Sequence, residues 1–199
     1  LPKAAEIAGR NLEVVVECDT GRKRAGVETP GEAVELARQI AASKGLTFAG
    51  FLMYPPETGW PATQDFLDTA NAGLREAGLE AGIVSTGGSP NIPNIGKLKG
   101  STEHRSGTSI FNDRMQIAAG VASLEDCALT VYASVVSRAA PERGILDSGS
   151  KTLTSDKGGL DGHGHILEYP LARIAQFAEE HGFLDLSGSN QRPVVGEVV

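Results

Sequence analysis

The sequence predicts an α/β fold: part of a (β/α)8 barrel followed by an antiparallel β-rich domain. Three observations predict it. Over the first two thirds of the chain, β-branched or apolar runs alternate with helix-period segments, the pattern of βαβ units and a parallel sheet. After about Leu124 the alternation gives way to closely spaced strand-like runs with turn residues between them. The length of 199 residues is short of the about 250 that a barrel alone needs, so the barrel part is a fragment. Residues 1–123 are assigned to the barrel and 124–199 to the β-rich domain.

Leu1-Pro2-Lys3 opens an alanine-rich amphipathic stretch, and Glu13 to Cys18 is a β-branched strand. Thr29-Pro30-Gly31-Glu32 is an N-cap with proline at the first helical position and a capping-box glutamate. The helix it starts carries Val34, Leu36, Ala37, Ile40 and Ala41 on one face and stops at Gly45. The cycle repeats: strand from Leu46 to Tyr54, helix from Gln64 to Ala77, strand from Ala81 to Ser85. In the last third, Cys127–Ser137 and Arg143–Asp147 form an antiparallel pair about Ala140-Pro141-Glu142. Tyr169 to Glu180 reads as a short amphipathic helix, and Arg192 to Val199 as a strand.

A net charge of −7 with scattered basic residues argues against nucleic acid and anionic membrane as partners. No apolar run reaches the length of a membrane span. No signal-peptide pattern opens the sequence, so a cytoplasmic location is the expectation. Cys18 and Cys127 lie far apart in apolar contexts and read as buried thiols.

In a parallel barrel, chemistry collects where strands end and loops begin. Those positions hold Asp19 to Gly26, Tyr54-Pro55-Pro56, Thr86-Gly87-Gly88-Ser89 and Gly107-Thr108-Ser109. The two glycine-hydroxyl clusters have the chemistry of a phosphate cradle, in which backbone N–H groups turn toward an anion; an isolated TGGS also serves as a plain tight turn. Arg24 is either a partner for a phenolate or carboxylate or a solvated loop charge beside Arg22 and Lys23, and Tyr54 either stacks on a flat ligand or packs at a rim. His163-Gly164-His165, set among glycines, reads as an exposed loop before it reads as a metal pair; His104 and His181 read as structural or surface groups, the latter near a helix C-terminus. No G-x-S-x-G elbow supports a serine hydrolase.

Taken in order, these segments resemble the D-threonine aldolase and D-serine dehydratase family of alanine racemase-type, fold-type III enzymes. Glu17-Cys18-Asp19-Thr20-Gly21-Arg22-Lys23-Arg24-Ala25-Gly26-Val27 resembles its E-x-D-x-G-x-x-R-x-G-V segment, and Phe48 to Tyr54 its next strand. Ser85-Thr86-Gly87-Gly88 resembles the phosphate loop and Glu103 to Asp113 the last barrel strand. Val135-Val136-Ser137-Arg138 and Ile145 to Lys151 resemble the S-x-V-x-S and L-D-x-G-x-K segments. Each motif is weak alone; their order and spacing make the resemblance specific.

The resemblance implies that the barrel part supplies that barrel's last strands and that pyridoxal 5'-phosphate lies across its mouth. Arg24 would meet the cofactor's ring oxygen, Tyr54 would pack or bond beside it, and Thr86, Gly87, Gly88, Gly107, Thr108 and Ser109 would surround its phosphate. Two positions depart from the pattern: Leu52 where relatives often have a polar contact, and Ser109 where many have tyrosine. The implied activity is a metal-dependent lyase on D-3-hydroxy amino acids, most simply cleavage to glycine and an aldehyde, with a D-serine dehydratase-type ammonia-lyase or a racemase as alternatives and a homodimer as the expected assembly. The Schiff-base lysine is expected before Leu1 and the divalent-metal pair just beyond Val199. This stretch by itself is therefore expected to be inactive, either as a piece of a longer enzyme or as a non-catalytic remnant. An open half-barrel with exposed strand edges favours the first.

Overall fold

The computed structural model describes all 199 residues and divides into two compact units, Leu1–Ile110 and Phe111–Val199. The first holds four parallel strands in the order β1-β2-β3-β4: β1 (Leu12–Cys18), β2 (Leu46–Met53), β3 (Ile83–Gly87) and β4 (Glu103–Arg105). Helix α1 (Pro2–Ala8) precedes them; α2 (Pro30–Ala42) and α3 (Trp60–Glu76) make the first two crossovers. Sequential parallel order, with α2 and α3 packed on the same face of the sheet, is the arrangement of a barrel wall. A doubly wound sheet would carry helices on both faces.

Strand alternation sorts the side chains. Val16, Cys18, Phe51, Met53 and Val84 face the helices, where Phe51, Met53, Leu67 and Leu74 are fully buried. Glu17, Leu52, Ser85 and Arg105 fall on the opposite face, which a closed barrel would enclose. Each large buried side chain is worth about 1.5–3 kcal/mol. That outweighs the cost of about 1 kcal/mol for Gly73 inside α3, and this glycine lets α2 approach, since a Cβ there would stand 3.0 Å from a Val34 methyl.

The Thr29–Glu32 capping box forms as the sequence predicts. The second helix starts earlier than expected, at Trp60 with Pro61 in its first turn. Sequence alternation also misses a bulge in β2: Val14 pairs with Phe48 but Val15 with Gly50, so Ala49 is extra. Phe48 and Phe51 therefore both face the helices, edge to face with centroids 5.6 Å apart. At Gly50 (φ +149) a Cβ would lie 1.9 Å from the Ile83 carbonyl oxygen.

The second unit is an antiparallel sheet in the order β5-β6-β8-β7: β5 (Val135–Ala140), β6 (Arg143–Leu146), β7 (Arg173–Phe177) and β8 (Gly182–Asp185), with the short helix α4 (Arg114–Ala118) ahead of it. The hairpin about Ala140-Pro141-Glu142 is present, but its first strand begins at Val135. From Leu129 to Tyr132 no backbone hydrogen bond forms, so this segment stays out of the sheet. The expected helix over 169–180 is instead a turn followed by β7. Ile174 and Phe177 share one face of the sheet with Leu184 because a bulge at Ala175 restores their phase. His181 accordingly lies in the β7–β8 turn, where its carbonyl accepts from the Ala178 N–H at 2.9 Å, and not at a helix end. Residues 194–199 run beside β5, with Ala133 and Val199 exchanging two backbone bonds. No helix is long and apolar enough to cross a membrane.

Gly50→Ala should destabilise the chain by at least the about 1–3 kcal/mol of an overpacked site, because a backbone oxygen, unlike a side chain, cannot swing away. Urea denaturation followed by circular dichroism measures this; an unchanged midpoint would mean that β2 and β3 do not approach as described.

Candidate functional site

The loop after β1 is built on one carboxylate. Asp19, buried in its own loop, accepts from the N–H groups of Gly21 (2.8 Å) and Lys23 (3.0 Å) on Oδ1 and of Arg24 (2.7 Å) on Oδ2. Burial pushes its pKa up, but these backbone donors prevail and hold it below the ordinary aspartate value. The loop is closed at its base by Asp19 N–H to Val27 O and Val27 N–H to Glu17 O. Gly26, at φ +104, is required there because a Cβ would meet Glu17 O at 2.7 Å.

This turn delivers two guanidiniums to Tyr54, which lies just past the end of β2: Arg22 at 4.3 Å and Arg24 at 4.8 Å from the ring centroid. Arg22 is tied down, donating to the Pro55 carbonyl (3.1 Å) and pairing with Glu57 (2.8 Å). The Arg24 side chain has only that ring and Glu17, at 3.8 Å, as partners, and being 60% exposed it is open to an anion. Gly88 (φ +106) also touches Tyr54: a Cβ there would stand 2.1 Å from the ring's Cε2. Three expected site residues, Arg24, Tyr54 and Gly88, are thus brought together.

The two glycine-hydroxyl clusters sit side by side at the carboxyl ends of β3 and β4, and their polar groups divide into bonded and free. The Gly88 N–H donates to Arg105 O at 3.0 Å, and the Thr86 hydroxyl lies on the helix side, 2.8 Å from His104 Nδ1. Ser109 N–H reaches Ser89 Oγ at 3.3 Å, linking the clusters. The N–H groups of Gly107 and Thr108, both exposed, have no acceptor in the chain. Beside Gly87 stands a residue that the motifs alone do not single out. Arg105 donates from Nε to Ser85 Oγ and from Nη2 to the Met53 carbonyl, each at 2.8 Å, a fixed cation on the inward face. Its signal was the alternation of β4, which puts Arg105 in register with Gly87.

The remaining candidates do not assemble into a centre. His163 stacks on Phe177 (centroids 4.4 Å apart) and His165 is exposed, so the pair does not act together. His163 lines a cavity of about 690 Å³ in the second unit with Leu153, Leu160 and Ile166; burial first, then Lys157 and Arg114, lower its pKa. No three His, Cys, Asp or Glu side chains cluster where they could hold a metal ion. Cys18 is buried, its thiol pushed up to about 12 by burial and Glu17, and is inert; Cys127 is half-buried, not buried as expected.

The strand ends of this parallel sheet thus present two free amides, a fixed arginine and a tyrosine flanked by two arginines. Residues 1–115 match the family model described as "Alanine racemase, N-terminal domain", and residues 128–199 match the "Putative serine dehydratase domain". The chain belongs to the alanine racemase N-terminal domain family. It is 32% identical to the D-threo-3-hydroxyaspartate dehydratase of Delftia sp. (strain HT23), over 88% of this chain and 52% of that protein. With the D-threonine aldolase of Arthrobacter sp it shares 28% identity, over 96% and 53%. The crystal structure of D-threonine aldolase from Filomicrobium marinum superposes with a TM-score of 0.83 at 27% identity, covering 100% of this chain and 56% of that one. The chain spans about half the length of the curated relatives it matches.

Asp19→Asn should loosen the 19–26 loop, since an amide offers one acceptor oxygen where the carboxylate offers two. Because the folded pKa is depressed, the carboxylate's contribution is present at neutral pH and is lost as pH falls below about 3.9, the unfolded value, through the lower folded one. Hydrogen exchange at Gly21, Lys23 and Arg24 reads this directly; equal protection in Asp19→Asn at pH 7 would refute the role.

Proposed function

We propose that the longer protein carrying this chain is a pyridoxal-phosphate-dependent lyase that acts on D-3-hydroxy amino acids. Cleavage between Cα and Cβ to glycine and an aldehyde is the leading reaction. The observation that carries the reading is the pair of free, exposed amides at Gly107 and Thr108 beside the contact of Arg24 and Gly88 with Tyr54. The names of the two relatives above support the substrate class. The family-model matches, ending at 115 and resuming at 128, support taking residues 1–123 as part of the barrel and 124–199 as part of the β-rich domain.

These residues fit the cofactor. Gly107 and Thr108 offer N–H donors for a phosphate, with the hydroxyls of Thr108 and Ser109 at the same turn. Thr86, Gly87 and Gly88 shape the adjoining wall, Gly88 by leaving space for the Tyr54 ring. Arg24 offers a mobile cation for the ring oxygen, and Arg105 a fixed one on the inward face. When bound, pyridoxal phosphate supplies an electron-poor ring that takes up the electron pair of the bond broken at Cα. Leu52, on the inward face between Glu17 and Ser85, contributes no proton donor. The residues present assemble no ligand set for a metal ion.

A dehydratase reading, loss of hydroxide to give an oxo acid and ammonia, is favoured by the name of the Delftia relative. Incubating the full-length protein with D-threonine, pyridoxal phosphate and a divalent metal ion separates the two: glycine and acetaldehyde support aldol cleavage, 2-oxobutanoate and ammonia the dehydratase. Neither product from any D-3-hydroxy amino acid would overturn the lyase reading. Gly88→Val should weaken cofactor binding at least about tenfold, a loss of about 1.4 kcal/mol, because its branched Cβ displaces Tyr54. Fluorescence titration with pyridoxal phosphate measures it, and an unchanged dissociation constant would remove Gly88 from the site.

A further inference from the structure

We propose that His104 is a positioning residue that pins the 86–88 loop in its cofactor-binding shape without touching the ligand. The inference rests on the pyridoxal-phosphate reading above. His104 is in register with Thr86, on the helix side of the sheet and away from the inward face. Its ring spans the loop: Nδ1 lies 2.8 Å from Thr86 Oγ1 and Nε2 lies 3.1 Å from the Gly88 carbonyl oxygen.

The Gly88 carbonyl can only accept, so Nε2 carries a hydrogen; this assignment follows from the bonding pattern. In the neutral ring Nδ1 then accepts from the Thr86 hydroxyl. In the imidazolium Nδ1 donates instead, and the Thr86 hydroxyl turns to the Glu103 carbonyl 3.3 Å away. Either charge state keeps both contacts, so the ring is a pin and not a switch.

Gly88 needs holding. Its φ of +106 gives it no local preference for one conformation, and its Cα sits against Tyr54. The Asn91 N–H (2.9 Å) is the second donor to the same carbonyl. If Gly88 shifts, Tyr54 follows, and Arg24 follows Tyr54. An apolar side chain at 104 would cover the same surface and leave the Gly88 carbonyl with one donor.

In the full-length protein, His104→Leu should raise the pyridoxal-phosphate dissociation constant about tenfold, the scale of one or two lost hydrogen bonds. The melting temperature of the cofactor-free protein should fall by only about a few degrees, the scale of the same bonds, and the 31P resonance of the bound phosphate should move. His104→Gln, whose amide N–H can reach the Gly88 carbonyl, should recover most of the affinity; His104→Asn, too short for that bond, should not. Wild-type affinity in His104→Leu, or equal affinities in the Gln and Asn variants, would overturn the proposal. If the Leu variant does not fold, the Gln and Asn pair decides alone. A wild-type protein that binds no pyridoxal phosphate would sink the site reading and this inference together, an outcome distinct from tight binding that ignores residue 104.

Discussion

The bulge at Ala49 is the constraint on which the first unit's arrangement depends. A one-residue slip exchanges the two faces of a strand, and this one falls midway along β2, the strand paired with both β1 and β3. Before the bulge Phe48 faces the helices; after it Phe51 and Met53 do, and Leu52 faces inward beside Glu17 and Ser85. With Ala49 in phase, Phe51 would lie on the inward face and the helices would lose their largest fully buried contact. The same slip places Tyr54 in phase with Leu52, where the loop from β1 and Gly88 from β3 can meet it. Gly50 is the cost of that arrangement, because the bulged strand comes too close to β3 for any side chain.

Hydrogen-bond accounting then decides which groups are available for a ligand. Buried polar groups in a low-dielectric setting must be paired, and the strand ends here comply almost completely: Asp19 takes three N–H groups, the Gly88 N–H goes to Arg105 O, and Arg105 goes to Ser85 and Met53. What stays open toward solvent includes the amides of Gly107 and Thr108 and the guanidinium of Arg24, while Arg22 Nε and Asn91 Oδ1 are buried without a partner. The two exposed amides keep no internal partner to give up, and Arg24 keeps only Glu17 at 3.8 Å and the face of Tyr54, so an anion reaching them displaces little besides water.

The sequence carried most of this and lost the rest for one recurring reason. The parallel strands, the Thr29 cap, the 140–142 hairpin and the nearness of the two glycine-hydroxyl clusters all follow from local chemistry that a window of residues contains. The helix expected over 169–180 failed because Ile174 and Phe177, three apart, have helical spacing, and a bulged strand produces the same spacing. Phe48 and Phe51 repeat the effect in β2. Periodicity alone cannot separate a helix turn from a strand with one extra residue; only the partner strand does, and that is non-local. The segment Leu129–Tyr132 is the converse case, with strand composition but no backbone partner.

Residue types in the site were legible, but not which atoms of each would be free. Thr86 and Gly88 belong to the loop that their composition advertised, yet the hydroxyl of one and the N–H of the other are bound within the sheet by His104 and Arg105, 18 and 17 positions away and beyond any motif. Their contribution is shape, and the donors lie one strand over. This changes how the Ser109 departure weighs: its N–H is held by Ser89 and its hydroxyl by Ser106. The turn therefore keeps its geometry through serine–serine bonds, leaving the amides of Gly107 and Thr108 in place without a larger side chain to brace them.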